Sequence, residues 1–408
     1  MHILSENNRS EFLATPQLIR LDYANGQRGK EPTLLIKAST VLLKYIVLGA
    51  KMQIVFVRVD KHLLYGLHVY DDPDYPALLW SICERSEEIA AISGLLRGEA
   101  CQFFLFNELA VNAAWRASAL DVPVAKVQSL IADVDLGPVD YSEISRRASE
   151  IFRAIHKGDS LKKGVTLDAK NSTDWTPSRT TYITNQAQAS TLELFDKDEG
   201  GHQEKIGLWL TDSLHPDGAH QSLQIPSGKA GGKQRRELTD ITLSYEGGSI
   251  FIESKAISIF SRAELPNREK LKHDVTGHIN KAVSQLRGGI RKVKAGVPIM
   301  DKNGNPVEIE RTHPVHAIVL IPEFDLVEDR EVYNLKFVAE FVQATGGYLH
   351  LVDISELLRI VQAAEMISAR SNSVTPMMAF DYYLIERAKK CRAAGTLCFG
   401  MLLRFAEE

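Results

Sequence analysis

The segment RELTDITLSYEGGSIFIESKAISIF, residues 236–260, decides the fold of the second half of the chain. Two runs rich in β-branched and aromatic residues flank a pair of glycines, which is typical of a β-hairpin. Side chains alternate between the two faces of a strand, so Glu253 and Lys255 share one face of the second run. Asp240 lies on the first run, and the register of the hairpin decides whether the three charged groups meet.

A two-residue turn formed by the glycines at 247–248 sets the expected register. It places Thr242 opposite Glu253 and Asp240 opposite Lys255, so all three charges lie on a common face. On a solvated hairpin this would be a cross-strand ion pair worth about a few tenths of a kcal/mol. In a covered sheet the same charges would need partners. Whether the three charged residues lie on a solvated surface or form a functional site therefore depends on the elements that surround the hairpin.

Strands and helices alternate after this hairpin, which predicts an α/β fold with a sheet between helices. An amphipathic helix is expected in 277–296, a strand buried on both faces in 315–323, a helix near 331–344 and a strand in 348–354. Before the hairpin, residues 185–197 and 203–214 show helical periodicity, and 215–236 has the composition of a polar, glycine-rich loop. The hairpin is expected to be part of the covered sheet.

The chain has 408 residues, a length that favours two domains. We expect a mixed α+β N-terminal domain in 1–155, with helical periodicity in 76–96 and 109–120, and a polar linker in 156–182. A second domain is expected in 183–370, followed by a C-terminal helical appendage in 371–408. The composition alone does not indicate a binding partner, because the net charge of -4 is ordinary for a soluble protein.

The sequence indicates a soluble cytoplasmic protein. Its four cysteines are scattered without a CxxC pair, which fits a reducing compartment better than a zinc site or a disulfide framework. The N-terminus shows no secretion signal. The most apolar segment, 39–59, is interrupted by Lys44, Lys51 and Arg58, so no membrane span is expected.

Two carboxylates held close together in a covered sheet repel each other, and a hard divalent cation is the natural partner for them. Mg²⁺ would bind through one or two carboxylates and a substrate phosphate oxygen, polarise the phosphorus and acidify a water. A neighbouring lysine would orient that water and offset developing negative charge. Asp240, Glu253 and Lys255 therefore predict hydrolysis of a phosphodiester bond.

The pattern TD, twelve residues, then ESK resembles the PD-(D/E)xK nuclease superfamily, and ELTDITLSYEGGSIFIESKA is most similar to its nuclease-related NERD branch. Thr239 stands where the family has proline. The resemblance spans about 183–365 and implies a restriction-endonuclease-like mixed sheet flanked by helices. It implies metal binding by Asp240, Glu253 and the backbone carbonyl of Ser254, with Lys255 as the catalytic lysine. The implied protein is an Mg²⁺-dependent deoxyribonuclease, with Mn²⁺ as an alternative metal, in DNA repair or in defence against foreign DNA.

Members of this superfamily often carry a further glutamate on the helix before the first strand, and some carry a glutamine on the helix after the lysine. Glu204 is the preferred candidate for the glutamate and Glu193 the alternative, while Gln285 is the candidate for the glutamine. Each is equally well explained as a solvated helix residue. The two histidine pairs, 215 with 220 and 273 with 278, are expected in loops, with a role in phosphate contact left open.

Basic residues flank the hairpin on both sides and predict contacts with a nucleic-acid backbone. The candidates are Lys229, Lys233, Arg235, Arg236, Lys281 and Lys292. DNA is the expected partner, although a run of charge is often only a solvated face. The resemblance also leaves room for a second copy of the chain or a defence-system protein as partner. The alternative function is a nucleic-acid-binding or scaffold protein that keeps the fold without the chemistry.

Overall fold

The structure is a computed structural model that describes residues 4–26, 29–137, 139–157, 164–170, 174–185, 189–227, 234–371 and 373–401. Its contacts divide the chain into two compact units. The first comprises Met1–Thr180 with Glu193–Phe195, and the second comprises Thr181–Leu192 with Asp196–Glu408. Both combine mixed sheets with flanking helices, so the chain is a mixed α/β protein.

The first unit is built on a nine-stranded sheet in the order β1-β2-β6-β7-β8-β3-β4-β5, with β9 paired to β7. Its elements are α1 (Glu6–Ala14), β1 (Leu18–Gly26), β2 (Gly29–Lys37), α2 (Thr40–Val47), β3 (Met52–Val59), β4 (His62–Val69), β5 (Ala77–Ile82), α3 (Ser86–Leu96), β6 (Cys101–Phe106), β7 (Asn112–Leu120), α4 (Val124–Ile131), α5 (Tyr141–His156), β8 (Gly164–Lys170) and β9 (Thr176–Pro177).

Three expectations for this half of the chain differ from the structure. Residues 76–96 were expected to be helical, but 77–82 form strand β5 and helix α3 begins only at Ser86. Residues 109–120 were expected to be helical, but they contain β7, which pairs with β6 and β8. The expected linker, 156–182, contains β8, which pairs with β3 inside the sheet. Val165 and Leu167 of β8 are buried in the core of the unit, and this alternation of apolar residues explains why a polar segment forms a strand.

The second unit is built on a five-stranded sheet in the order β12-β13-β14-β15-β16. The strands β10 (Arg179–Ile183) and β11 (Ala189–Glu193) form a separate two-stranded sheet. After them along the chain come α6 (Glu199–Asp212), β12 (Gly218–Pro226), β13 (Arg235–Tyr245), β14 (Gly248–Ser254), α7 (Arg268–Lys294), β15 (His316–Ile321), α8 (Leu335–Thr345), β16 (Tyr348–Asp353), α9 (Ile354–Arg370) and α10 (Pro376–Ala394). The pairs from β12 to β14 are antiparallel and those from β14 to β16 are parallel. β14 is therefore the central strand.

Helices α6 and α7 cover opposite faces of this sheet. A Cβ atom added to Gly207 of α6 would lie 3.0 Å from Cδ1 of Ile241, and one added to Gly289 of α7 would lie 2.9 Å from Cδ1 of Leu238. Ile241 and Leu238 have opposite parity on β13, so their side chains point to opposite faces. The hairpin is covered on both sides, as the sequence predicts.

Three further expectations for the second half of the chain are corrected. Residues 185–197 were expected to be helical but contain strand β11, and the expected loop 215–236 contains strand β12. The expected appendage 371–408 contains α10, which packs on α9. Arg387 of α10 is 0% exposed and donates hydrogen bonds to Glu356 of α9 and to the backbone oxygen of Leu351. α10 therefore belongs to the core of the second unit.

Candidate active site

The hairpin β13–β14 brings Asp240 and Glu253 to adjacent positions. Its turn is formed by Glu246 and Gly247, because Tyr245 pairs with Gly248 and the ladder continues to Ile241 opposite Ile252. This register differs by two residues from the expected one. A shift by two leaves every side chain on its predicted face, whereas a shift by one would reverse the faces.

Lys255 follows β14 directly and holds the two carboxylates together. Its Nζ lies 2.8 Å from Oε1 of Glu253 and 3.8 Å from Oδ2 of Asp240. The backbone N–H of Ser254 donates to the same Oδ2 at 2.7 Å, and the backbone N–H of Lys255 donates to the carbonyl of Leu320 at 2.8 Å. One ammonium group therefore contacts two carboxylates from neighbouring strands, on a backbone that is itself fixed by hydrogen bonds.

Both carboxylates are buried, with Glu253 1% exposed and Asp240 6% exposed. Burial, together with the negative charge of Asp240, raises the pKa of Glu253 to about 7. Burial also raises the pKa of Asp240, against the opposing charge of Lys255. The ammonium therefore compensates the two negative charges only in part, and the site has the electrostatics of one that favours additional positive charge.

One acceptor atom of this site is not satisfied by a hydrogen bond. Among the described residues, Oε2 of Glu253 is buried and has no hydrogen-bond partner. The described part of the chain contains no group of three or more His, Cys, Asp or Glu side chains placed to hold a metal ion. Two carboxylates still fit Mg²⁺, which is commonly held by one or two carboxylates with water and phosphate oxygens as the other ligands.

Glu204, on α6, is within electrostatic reach of this pair. Burial and then the negative charges of Asp240 and Glu237 raise the pKa of Glu204 to about 7. Its Oε2 accepts a hydrogen bond from Nε2 of Gln221 on β12 at 3.5 Å. Glu193, the alternative candidate, ends β11 and forms an ion pair with Arg179 at 2.7 Å. The geometry therefore brings Glu204, and not Glu193, toward the candidate site.

Gln203 is a site residue that the sequence did not indicate. It is buried on α6, and its Nε2 donates to Oγ of Ser254 at 3.1 Å and to the carbonyl of Leu320 at 3.2 Å. The same Leu320 carbonyl accepts the N–H of Lys255. Gln203 thus fixes the backbone that carries Lys255. A glutamine inside a helical pattern gives no signal of this role.

Helix α7 adds His278, for which the sequence left only a role in phosphate contact open. Its imidazole feels the charge of Lys255 and forms a hydrogen bond with the backbone of Ala256, while burial lowers its pKa. His278 and His273 were expected in a loop, but both lie on α7. His220 also lies outside a loop, on β12.

Gln285 lies seven residues after His278 on the same helix, so the two positions share a face. Its Oε1 is buried and has no hydrogen-bond partner among the described residues. Lys281 is exposed, and Nζ of Lys292 donates to the carbonyl of Pro226 at 3.3 Å. The free acceptor of Gln285 is consistent with a role toward a ligand.

The basic candidates before the first strand divide into two groups. Arg235 and Arg236 begin β13, five and four residues before Asp240. Lys229 and Lys233 lie outside the described residues.

Ser254, whose backbone carbonyl was expected to bind the metal, is the last residue of β14. It lies between Glu253 and Lys255, whose side chains contact each other. Its role stays a prediction.

Comparisons with models of known protein families, with curated proteins and with solved structures found no match to this chain. In the described part of the chain, no helix is long and apolar enough to cross a membrane.

Proposed function

We propose that the second unit is a metal-dependent nuclease that hydrolyses DNA phosphodiester bonds, with a restriction-endonuclease-like fold. The observation that carries the proposal is the contact of one lysine ammonium with two buried carboxylates from adjacent central strands, with Oε2 of Glu253 left without a partner. A buried carboxylate oxygen without a partner costs about 1–3 kcal/mol or more, and a bound cation would satisfy Oε2 of Glu253. A site that binds a cation and a phosphate needs such an oxygen.

Asp240 and Glu253 would hold Mg²⁺, or Mn²⁺ in its place, together with the backbone carbonyl of Ser254. When bound, the ion would polarise the scissile phosphate and lower the pKa of a coordinated water. Burial raises the pKa of both carboxyl groups, and the charge of Asp240 adds to this at Glu253, so a cation held between them would favour their charged forms.

The chain's own groups would supply the remaining chemistry. Lys255 contacts Glu253 and Asp240 in this structure, so its ammonium is placed to orient an attacking water and to stabilise negative charge on the phosphate. Glu204, with a pKa of about 7, can exchange a proton near neutral pH. Gln203 would act as a positioning residue through the hydroxyl of Ser254 and the carbonyl of Leu320, and His278 through the backbone of Ala256.

DNA is the proposed substrate because basic residues approach the hairpin along the chain from both sides. Arg235 and Arg236 open β13, and Lys281 and Lys292 lie on α7, which covers one face of the same sheet. Arginine and lysine side chains contact the phosphate backbone without reading sequence. The proposed activity is accordingly structure-specific or non-specific cutting.

The experiment is cleavage of supercoiled plasmid, linear duplex and single-stranded DNA, with RNA as a further substrate, in Mg²⁺, Mn²⁺ or chelator. Wild type is compared with Lys255→Ala and with Lys390→Ala, an exposed lysine of α10 that serves as the matched control. Wild type and the control should cut only with metal, and Lys255→Ala should be slower by roughly 100-fold.

Equal cutting by wild type and Lys255→Ala would refute the catalytic role of the lysine. No cutting by wild type on any DNA would refute the nuclease. Binding without cutting would favour the scaffold alternative.

A further inference from the structure

Helix α8 has a buried face and an exposed face, and the exposed face is partly apolar. Phe341 and Thr345 are buried where the helix packs on α7 and β16. The other face carries Leu335, 41% exposed, Val342, 40% exposed, and the exposed Ala339. Because these three residues follow each other at intervals of four and three, they form one apolar stripe along the outside of the helix. An apolar stripe on the solvent side indicates a surface that another molecule covers.

Two opposite charges accompany the apolar stripe. Lys336 directly follows Leu335 on the helix, and Glu340 directly follows Ala339. Each charged residue is therefore turned by about 100° from its apolar neighbour in the same direction, so both charges lie on the same side of the stripe. Both side chains are exposed, and within the part of the chain that the structure describes neither forms an ion pair. A partner that covers the stripe would meet one positive and one negative group beside it.

The apolar stripe and the charges are arranged about the same point of the helix. Leu335 and Val342 lie on either side of a point midway between positions 338 and 339, and the two charges are centred on position 338. When two copies of a helix cross antiparallel about a two-fold axis, the same side of each meets the other, and residues equidistant from the axis face each other. One axis next to position 338 therefore brings Leu335 of each copy to Val342 of the other. The same axis brings Lys336 of each copy to Glu340 of the other.

The small side chain of Ala339 lies beside this axis. The distance between two packed helices depends on the side chains at their contact, so an alanine there lets the helices approach closely. Two helices of 11 residues make a small interface. The resulting dimer should therefore be weak, with a Kd on the order of 10 μM.

We propose that α8 is a homodimer interface, in which the apolar stripes of two copies of this chain pack antiparallel and Lys336 of each copy pairs with Glu340 of the other. A second copy fits this surface better than an unrelated partner because a single axis pairs the stripe and both charges. The inference concerns the surface of the second unit and does not depend on the proposed nuclease activity.

The test is sedimentation velocity of the full-length protein between about 1 and about 100 μM. Leu335→Glu removes the apolar side chain and places an acid in the first turn of α8, where negative charge stabilises a helix. Leu265→Glu makes the same change at a leucine that is also 41% exposed and lies outside α8. Urea unfolding of both variants at the lowest concentration shows that each is folded.

Charge reversal tests the antiparallel register. Lys336→Glu leaves two glutamates facing each other across the interface, and Glu340→Lys leaves two lysines. The double variant Lys336→Glu with Glu340→Lys restores opposite charges with their positions exchanged. A purely apolar contact in another register would not distinguish the double variant from the single ones.

Wild type and Leu265→Glu should dimerise equally, and Leu335→Glu should raise the Kd by about 100-fold, because both copies lose a buried leucine. Each single charge reversal should raise the Kd by about tenfold, and the double variant should return to within about threefold of wild type. A wild type that stays monomeric at every concentration would overturn the inference and leave the stripe to a different partner. Dimerisation of Leu335→Glu at the wild-type Kd, or a double charge reversal as weak as the single ones, would overturn it as well.

Discussion

Replacing Gln203 by leucine tests how the candidate active site is held. The change keeps the size of the side chain but removes an amide that donates to Oγ of Ser254 at 3.1 Å and to the carbonyl of Leu320 at 3.2 Å. Each bond contributes about 1 kcal/mol to the free energy of unfolding, and the Ser254 hydroxyl would lose its donor. Gln203→Leu should therefore destabilise the protein by about 2 kcal/mol, measured by urea unfolding.

A double-mutant cycle separates this bond from other effects of the substitution. Ser254→Ala removes the other partner, so the double variant should be more stable than the sum of the single changes predicts, by about 1 kcal/mol. Gln343→Leu, at an exposed glutamine of α8, is the matched control and should change stability by less than about 0.5 kcal/mol.

The same substitution should also change the rate of DNA cutting. Because Leu320 accepts the N–H of Lys255 as well, Gln203→Leu should slow DNA cutting by about tenfold through a less well-placed Lys255. Additive free energies in the cycle, or a Gln203→Leu protein as stable as wild type, would refute the positioning role.

Three further predictions concern the second unit. Burial holds the pKa of His350 well below its ordinary value of 6.5. As the pH falls below 6.5, the unfolded chain therefore binds a proton at this histidine, whereas the folded protein does not. His350→Leu should therefore lose less unfolding free energy than wild type between about pH 7 and about pH 5, by up to about 1.4 kcal/mol per pH unit in urea titrations. Arg387→Met should destabilise the protein by about 3–5 kcal/mol, because it leaves the buried Glu356 without its cation, and Arg387→Met with Glu356→Gln should recover part of this in the same assay. Lys281→Ala, in the Lys255→Ala background, should lower the slope of log affinity for DNA against log salt by about one. An unchanged pH profile, an unchanged unfolding midpoint and an unchanged salt slope would contradict the three predictions in turn.

The common face of Asp240 and Glu253 could be predicted because it depends only on strand parity. The turn could not, because YEGGS offers both Glu246–Gly247 and Gly247–Gly248 as two-residue turns. The structure uses the first, and the resulting shift of two residues preserves the faces. The candidate site was therefore predictable even though its exact register was not.

Other errors came from segments whose partners are distant in the chain. Residues 109–120 are rich in alanine, which favours a helix in isolation, but pairing of β7 with β6 and β8 overrides that preference. Gln203 and His278 reach the site only because α6 and α7 pack on the sheet. No spacing in the sequence indicates that packing.

The most direct test of the account is cleavage of supercoiled plasmid in Mg²⁺ by Glu253→Gln, compared with wild type and with Glu246→Gln. Glu246 is an exposed carboxylate in the turn of the same hairpin, so it controls for the chemical change. Wild type and Glu246→Gln should cut at equal rates, and Glu253→Gln should be slower by roughly 100-fold. Cutting by Glu253→Gln at the wild-type rate would contradict the proposal that the buried carboxylates form a metal-dependent active site.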